Sequence, residues 1–353
     1  MSDNEPQLKS HRKPGVKTTV VAAVDVRFGD GAFPVLAGPG AVESEEQILA
    51  TANAVSDAGG LVLRSATYLP DDLAGPTAPL GEDGLWLLEH ASRATGLATS
   101  TFVFEPEHIT PAVAHVDILE VGPSRMRDEA LLSAVGRSGL PVIVHRGAAA
   151  TVDEWLVAAD SVMSGGASVI LCERGSDGFD PRTAGTVDIS AVTVVQKLSH
   201  LPVLVNPAPT VGSLELIGPL ALAARVAGAD GLMVAVHPDP DSAGFRAGGH
   251  LDFGAFAALM ESLGIPSLRD EIDRIDRELL KLIARRLKSS VEIGQIKASQ
   301  GLPMVSPSRE EELVAEARDD AEAMDLDPDY IEEVMRVVLR HSKQAQRRTS
   351  DPE

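Results

Sequence analysis

The sequence predicts an α/β protein in which a (β/α)8 TIM barrel is followed by a small all-α module of three helices that dimerises. Eight short runs rich in Val, Ile and Leu alternate with longer amphipathic stretches before Pro266, and such runs stop after it. The length of 353 residues suits one large barrel with an addition.

The eight apolar runs have room between them for a helix and two loops, because their starts lie 20 to 37 residues apart. Strands that alternate with crossover helices at this period are parallel. Eight units favour a closed barrel, and a doubly wound open sheet stays the alternative. The runs begin at Pro34, Leu61, Ala98, Ile118, Pro141, Ser168, Pro202 and Gly231.

The chain divides into four segments on these patterns. We expect a disordered arm over residues 1–16, the barrel over 17–265, the helical module over 266–348 and a tail over 349–353. The stretch before the first run is interpreted as a hairpin that turns at residues 29–31 and covers one end of the barrel.

Composition excludes several classes of partner. Lys and Arg number 31 against 52 Asp and Glu, which gives a net charge of −21. So acidic a surface repels nucleic acid and anionic lipid, so we expect neither as a partner. The single cysteine, Cys172, allows no intrachain disulfide and favours a reducing, cytoplasmic location.

The helical module is expected to contain helices at about residues 267–299, 308–324 and 328–346, from apolar spacing, capping pairs and a proline at a first helical position. At 1.5 Å per residue the first helix is ~48 Å long. Two shorter helices cannot cover that length, so the module is predicted to pair with a second chain.

Two cations interrupt the apolar stripe of the first helix. Arg286 and Lys297 are eleven residues apart, so they point the same way and lie ~16 Å apart along the axis. Together they could enclose a small anion; the alternative is two cations that extend to solvent from the edge of the stripe. Arg269 is ~25 Å from Arg286, and so could reach only the equivalent site of a second chain.

Further polar candidates lie on the other two helices. Ser342 and Gln346 are four residues apart and share one face of the third helix. Arg309 and Glu310 begin the second helix, where charges in solvent are the plainer interpretation.

In these positions the module resembles the all-helical chorismate mutases, over about residues 267–348. The motifs are LRDEID, LLKLIARR, EIGQIK, GLPMVSPSREEEL and DPDYIEEV. The resemblance implies rearrangement of chorismate to prephenate, with Arg286 and a second chain's Arg269 on substrate carboxylate. Lys297 and Gln346 would then contact the ether oxygen of the breaking bond.

The same resemblance implies roles for four more residues. Glu310 would hold the ring hydroxyl of the substrate, and Arg309 and Ser342 would complete the polar shell. Ser306 stands where the family usually has an aspartate on that hydroxyl, which favours a chorismate analogue such as aminodeoxychorismate as an alternative substrate.

The barrel is similar to the 3-deoxy-7-phosphoheptulonate (DAHP) synthases, in the group related to KDO-8-phosphate synthases. The motifs are AGPGAVES at residues 37–44, CERG at 172–175, KLSHLPV at 197–203 and GADGLMVAVHPDP at 228–240. The family condenses phosphoenolpyruvate with erythrose 4-phosphate on a divalent metal held by Cys, His, Glu and Asp.

This chain departs from the family at its metal-binding positions, where Gly40, Pro209, Ala235 and Arg246 stand. None of them is a usual metal ligand, so no metal and no cofactor are expected. Arg64, Arg146 and Arg174 remain of the basic residues and could keep a residual phosphate site. Five other substrate-binding positions are changed, to Leu69, Asp71, Ser124, His145 and Ala184.

The sequence therefore predicts a chorismate mutase whose DAHP synthase-like barrel is an inactive scaffold or regulatory domain. One alternative is a bifunctional DAHP synthase and chorismate mutase. Others are a mutase for a chorismate analogue, or a non-catalytic regulator of a genuine DAHP synthase. The expected partners are chorismate or a close analogue and further copies of the chain, as a homodimer or higher even oligomer.

Overall fold

The computed structural model describes residues 8–13, 15–70, 79–177, 180, 185–207, 214–245, 249–265, 268–301, 307–324 and 326–350. It divides into two compact units, Met1–Arg269 and Asp270–Glu353. None of the helices in the described ranges is both long and apolar enough to cross a membrane.

The first unit is built on eight parallel strands that close into a barrel, as the sequence predicts. Each strand pairs with the next along the chain, and the last pairs with the first. The strands are β3 (Val35–Gly38), β4 (Val62–Arg64), β5 (Ala98–Val103), β6 (Ile118–Val121), β7 (Val142–His145), β8 (Val169–Glu173), β9 (Val203–Val205) and β10 (Gly231–Ala235). The doubly wound alternative is therefore wrong.

Helices follow the strands on the outside of the barrel, and several begin at side-chain caps. Ser44 caps α1, and Thr151 forms a capping box with Glu154 at α5, which satisfies amides that lack a partner in the helix. The helices are α1 (Glu45–Asp57), α2 (Glu82–Thr95), α3 (Ile109–Val113), α4 (Glu129–Gly136), α5 (Val152–Gly165), α6 (Ile189–Leu198), α7 (Ile217–Val226) and α8 (Phe253–Ser262).

A hairpin of β1 (Val21–Ala23) and β2 (Val26–Phe28) precedes the barrel. Its buried side chains pack with the innermost apolar layer at the start of the barrel strands, so it covers that end. The predicted turn at residues 29–31 is wrong. The chain turns at Val24 and Asp25, directly after β1, and the φ of 51° at Val24 is one that β-branched residues rarely adopt.

The N-terminal arm, expected to be disordered to residue 16, instead packs on the barrel where it is described. The hydroxyl of Ser10 is buried and donates to the carbonyl of Leu156 at 3.1 Å. Ser199 donates to the carbonyl of Ser10 at 2.6 Å, and His11 forms a bridge with Ser199. Polar contacts of this kind leave no periodic pattern in a sequence.

The second unit consists of α9 (Leu268–Ser299), α10 (Pro307–Ala323) and α11 (Pro328–Ser350), which confirms the helical module. Pro307 and Pro328 each occupy the first helical position, where a missing amide hydrogen costs nothing. The helix α11 runs four residues beyond the predicted end at residue 346. Within the unit, α10 and α11 pack against each other.

Candidate functional site

Alternation along the barrel strands decides which side chains face the interior. Ile118 belongs to the innermost layer, whereas Leu119 and Val121 pack outward against the helices, so Glu120 points inward. The same parity directs Arg64 and His145 inward. A polar layer therefore lies above the apolar floor, towards the carboxyl ends of the strands, where barrel enzymes bind their ligands.

Glu120 is the centre of this polar layer and is fully buried. Its carboxylate accepts hydrogen bonds from Arg64 Nη2 at 3.2 Å, Ser100 Oγ at 2.7 Å and His145 Nε2 at 2.9 Å. Burial alone would raise the pKa of Glu120, but Arg64, His145 and Ser100 lower it to about 2. Because the carboxylate is ionised, His145 must carry its hydrogen on Nε2.

A second buried ion pair joins the next two strands. Arg146 Nη1 lies 2.8 Å from Glu173 Oε2, and Arg146 Nε donates to the carbonyl of Ala150 at 3.0 Å. Glu173 also accepts from the amide of Gly175 at 2.7 Å. The carboxylate of Asp188 lies 3.6 Å from Arg146 as well. The charge of Arg146 is thus balanced within the protein.

Arg174 differs from these two arginines. It lines the barrel mouth and is half-buried, yet it has neither a hydrogen bond nor an ion pair with any residue that the structure describes. Burial lowers the pKa of its guanidinium below the usual value. A partly buried cation with no carboxylate in contact attracts an anion.

The three arginines line one cavity of about 320 Å³ at the carboxyl ends of the strands. The structure brings the three together and gives Arg64 and Arg146 carboxylate partners that the prediction lacks. The rest of the described lining is mainly apolar. It includes Ala66, Leu69, Pro123, Phe102, Phe104 and Phe245.

Two of the four positions matched to metal ligands lie in the described part, and both line this cavity. Gly40 has no room for a side chain, since an added Cβ would lie 2.5 Å from the ring of Phe245. Its amide donates to His250 Nε2 at 2.9 Å. Ala235 ends β10 and offers no donor atom. Pro209 and Arg246 lie outside the described residues.

Other departures are described in part. Leu69 lines the cavity, and so does Ser124, whereas Asp71 and Ala184 lie outside the described residues. Nowhere in the described ranges do three or more His, Cys, Asp or Glu side chains form a group able to hold a metal ion.

In the helical unit, two contacts join α9 to α11. Arg286 Nη1 donates to Ser342 Oγ at 2.5 Å, and Gln346 Nε2 donates to the carbonyl of Ser290 at 3.0 Å. Ser342 is buried, and its own hydrogen goes to the carbonyl of Val338 at 2.9 Å. Three of the predicted site residues therefore meet along this seam.

Lys297 follows Ser290 by seven residues, close to two full turns, and so shares the same face of α9. It is half-buried, and it forms no ion pair with any residue in the described ranges. Glu310, on α10, pairs with Lys343 of α11 at 2.6 Å. The partner Lys343 was not among the predicted residues.

Of the remaining predicted residues of the module, Arg309 is described and does not contact this seam. Arg309 is 58% exposed and pairs with Glu312 at 2.9 Å and with Glu316 at 3.7 Å. These contacts raise the pKa of Arg309. The plainer interpretation, helix-end charges in solvent, therefore describes Arg309. Ser306 and the side chain of Arg269 lie outside the described part of the chain.

A row of apolar side chains on α9 is exposed within the unit. Six apolar residues of this helix are each about half exposed or more, and successive members lie three, four or eleven residues apart. Side chains so placed line one face of a helix. The row contains Ile272, Ile275, Leu279, Leu282, Ile293 and Ile296.

Comparison with known proteins identifies the first unit. Residues 12–264 match the model of the DAHP synthetase I family. The chain belongs to this family. Residues 268–347 match the model of chorismate mutase type II, so a DAHP synthetase I barrel precedes a mutase-type module.

Individual relatives agree with the two matches. The chain is 37% identical over 246 residues to phospho-2-dehydro-3-deoxyheptonate aldolase of Thermotoga maritima, covering 69% of this chain and 73% of the relative. It is 28% identical over 278 residues to 2-dehydro-3-deoxyphosphooctonate aldolase of Magnetococcus marinus, with 73% and 93% covered. A 78-residue match at 45% identity to the T-protein of Enterobacter agglomerans covers 22% of this chain and 21% of that protein.

A solved structure supports the DAHP synthetase I fold directly. The crystal structure of the Thermotoga maritima DAHP synthase superposes with a TM-score of 0.71 at 35% identity, covering 74% of this chain and 77% of that one. The predicted resemblances of both units are thereby confirmed at the level of family.

Proposed function

We propose that the helical unit rearranges chorismate to prephenate. The observation that carries the proposal is the seam between α9 and α11, where Arg286, Ser342 and Gln346 meet and half-buried Lys297 shares their face. Membership of this segment in chorismate mutase type II supports it.

The reaction is one pericyclic step, so the residues need only hold a folded dianion and stabilise charge on the ether oxygen. Arg286 is held by Ser342 at a fixed point on α11, ready to receive a carboxylate. Lys297 and Gln346 are donors for the developing negative charge on the ether oxygen. Glu310, already beside Lys343, would accept from the ring hydroxyl.

The site is proposed to be completed by a second copy of the chain. The exposed apolar row on α9 supports this, because burying it against an identical helix removes apolar surface from water. Arg269 would then reach the partner's site. We therefore propose a homodimer or a higher even oligomer.

The mutase proposal is tested with chorismate and purified full-length protein, by following loss of ultraviolet absorbance. Lys297→Ala should lower kcat by at least about 100-fold, the usual effect of removing one donor to a transition-state charge. Lys288→Ala is the matched control, because Lys288 is an exposed lysine of the same helix, and it should leave kcat unchanged. Wild-type protein that leaves chorismate intact would refute the proposal.

Chorismate analogues belong in the same assay. Ser306 motivates aminodeoxychorismate as an alternative substrate, since a serine there lacks the charge of an aspartate. A higher kcat/KM for aminodeoxychorismate than for chorismate would move the assignment to that analogue. Turnover of neither would favour the non-catalytic regulator of a genuine DAHP synthase.

For the barrel, a second candidate function has specific support. Membership of the DAHP synthetase I family and the enzyme activities in the relatives' names favour a bifunctional DAHP synthase and chorismate mutase at least as well as a mutase with an inactive barrel. The fusion itself is the same in both proposals.

The residues at Gly40 and Ala235 support the inactive barrel instead. A divalent metal needs oxygen, nitrogen or sulfur donors, and neither position has a side-chain donor. The ring of Phe245 takes the space that a side chain at Gly40 would need. The described residues do not fit the family's metal, and we infer a scaffold or regulatory role.

An assay decides between the two barrel functions. Full-length protein is incubated with phosphoenolpyruvate, erythrose 4-phosphate and Mn²⁺, and phosphate release is measured beside the Thermotoga maritima enzyme as a positive control. The inactive barrel predicts release at the no-enzyme rate. Sustained release would establish the bifunctional enzyme. A cytoplasmic location stays a prediction from the single cysteine.

A further inference from the structure

The barrel cavity differs from a phosphate site in its charge. Of the three arginines that line it, Arg64 is neutralised by Glu120 and Arg146 by Glu173. Both carboxylates are fully buried, so neither can swing out to water to free its arginine for a ligand. Among the described residues of the lining, Arg174 is the arginine that has no carboxylate in contact, so its guanidinium is free to bind a ligand.

One positive charge fits one carboxylate. A phosphate ester carries about −1.5 to −2 charges and needs several donors, and phosphoenolpyruvate adds a carboxylate to this. A planar guanidinium binds a carboxylate through two parallel hydrogen bonds, and does so more strongly away from water. The neighbouring His145 adds no charge, because burial lowers its pKa.

The walls of the cavity determine the rest of the ligand. Three of the eight phenylalanines in the chain, Phe102, Phe104 and Phe245, line this one cavity. The rings of Phe102 and Phe104 are stacked with centroids 5.9 Å apart, and the guanidinium of Arg64 lies 5.2 Å from the Phe102 ring. These contacts hold the rings in place as a flat apolar surface, which a further aromatic ring would fit.

The volume of the cavity fits a small ligand with one aromatic ring. The volume of about 320 Å³ lies at the lower end of the range for small-molecule sites, about 300–1,000 Å³. Leu69 lines the same space and adds apolar surface.

We propose that the barrel cavity binds a small aromatic monocarboxylate, with its carboxylate on Arg174 and its ring against Phe102, Phe104 and Phe245. The site is separate from the mutase seam, and the proposal does not depend on mutase activity. It gives the barrel a ligand of its own, selected by Arg174 and three aromatic rings among the described residues of the lining.

The test is titration calorimetry on the full-length protein with phenylpyruvate, phosphoenolpyruvate and inorganic phosphate as probes. Phenylpyruvate should bind once per chain, with a Kd at least about tenfold lower than either phosphate probe. Tighter binding of phosphoenolpyruvate, or no heat of binding from phenylpyruvate, would overturn the proposal.

Variants locate the binding. Arg174→Gln should weaken phenylpyruvate at least about tenfold, a loss of the order expected for a charge-assisted bond. Arg286→Gln, which removes the cation of the mutase seam, should leave this binding unchanged. Binding that survives the first variant and is lost in the second would assign the ligand to the helical unit and overturn the proposal.

A gain of charge provides a test that survives a misfolded Arg174 variant. Leu69→Lys adds a cation to the cavity without removing a buried one, and Leu69 is only half-buried. It should strengthen binding of inorganic phosphate more than binding of phenylpyruvate, so the preference for phenylpyruvate should shrink. An unchanged preference in Leu69→Lys would contradict a site selected by charge and apolar walls.

Discussion

His145 donates its Nε2 hydrogen to the carboxylate of Glu120 across 2.9 Å, and neither side chain reaches solvent. The same carboxylate balances Arg64, which belongs to a strand 56 residues earlier. A cluster of buried charges therefore lies above the apolar floor of the barrel. Its contribution to the free energy of unfolding can be measured.

Glu120→Gln should destabilise the barrel strongly. It leaves Arg64 buried without its counter-charge, and breaking a buried ion pair on one side costs about 3–5 kcal/mol. Urea denaturation followed by circular dichroism measures the change in the free energy of unfolding. The control Glu105→Gln alters an exposed glutamate and should change it by less than about 0.5 kcal/mol. Equal effects of the two substitutions would mean that the cluster adds no stability.

Acid should destabilise the wild type through the same residue. The pKa of Glu120 is about 2 in the folded chain, against 4.5 for an ordinary glutamate, so the unfolded chain binds more protons between these values. The contribution of Glu120 is present above pH 4.5 and is lost as the pH falls towards 2. Urea midpoints measured from pH 6 to pH 3 should fall more steeply for the wild type than for Glu120→Gln. Parallel curves would show that Glu120 titrates normally.

Ser342→Ala should impair substrate binding in the helical unit. It removes the hydroxyl that fixes Arg286 on α11, an interaction worth about 1 kcal/mol, or roughly fivefold in kcat/KM. Steady-state kinetics with chorismate measure the effect, and KM should change more than kcat. Ser289→Ala, on the exposed side of α9, is the matched control and should leave kcat/KM unchanged. A loss confined to the control would show that the seam is not the substrate site.

Leu279→Glu should separate the proposed dimer. Leu279 is 53% exposed in the middle of the apolar row, and a charge there opposes burial against a second α9. Sedimentation velocity should show a smaller species than the wild type, and mutase activity should fall with it because Arg269 no longer reaches a partner site. Val226→Glu, on the exposed surface of the barrel, serves as the control. A wild type that sediments as an active monomer would contradict the shared site.

Most of the architecture follows from period and spacing. Eight apolar runs became eight strands because each run is buried on both faces, and α9 ends two residues before Gly301, as the breaker predicts. The hairpin turn escaped prediction because Val24 adopts a positive φ that sequence rules assign to glycine or asparagine.

The sites were predictable only in part. The parity of ILEVG directs Glu120 inward, but its pairing with Arg64 depends on closure of the barrel, which joins residues far apart in sequence. Lys343 was missed for a similar reason, since it meets Glu310 only when α10 packs on α11. Phe245 lies in a loop, and the hydrophobic periodicity that predicts helices and strands does not predict the path of a loop.

Cys172 lies in the innermost layer beneath the hairpin, fully buried, and burial raises the pKa of its thiol. A thiol that stays protonated and out of reach does not react with maleimides, since the thiolate is the reactive form. The native chain is therefore not expected to be labelled by such reagents. One cysteine introduced at an exposed position would carry a fluorophore or spin label at a single known place.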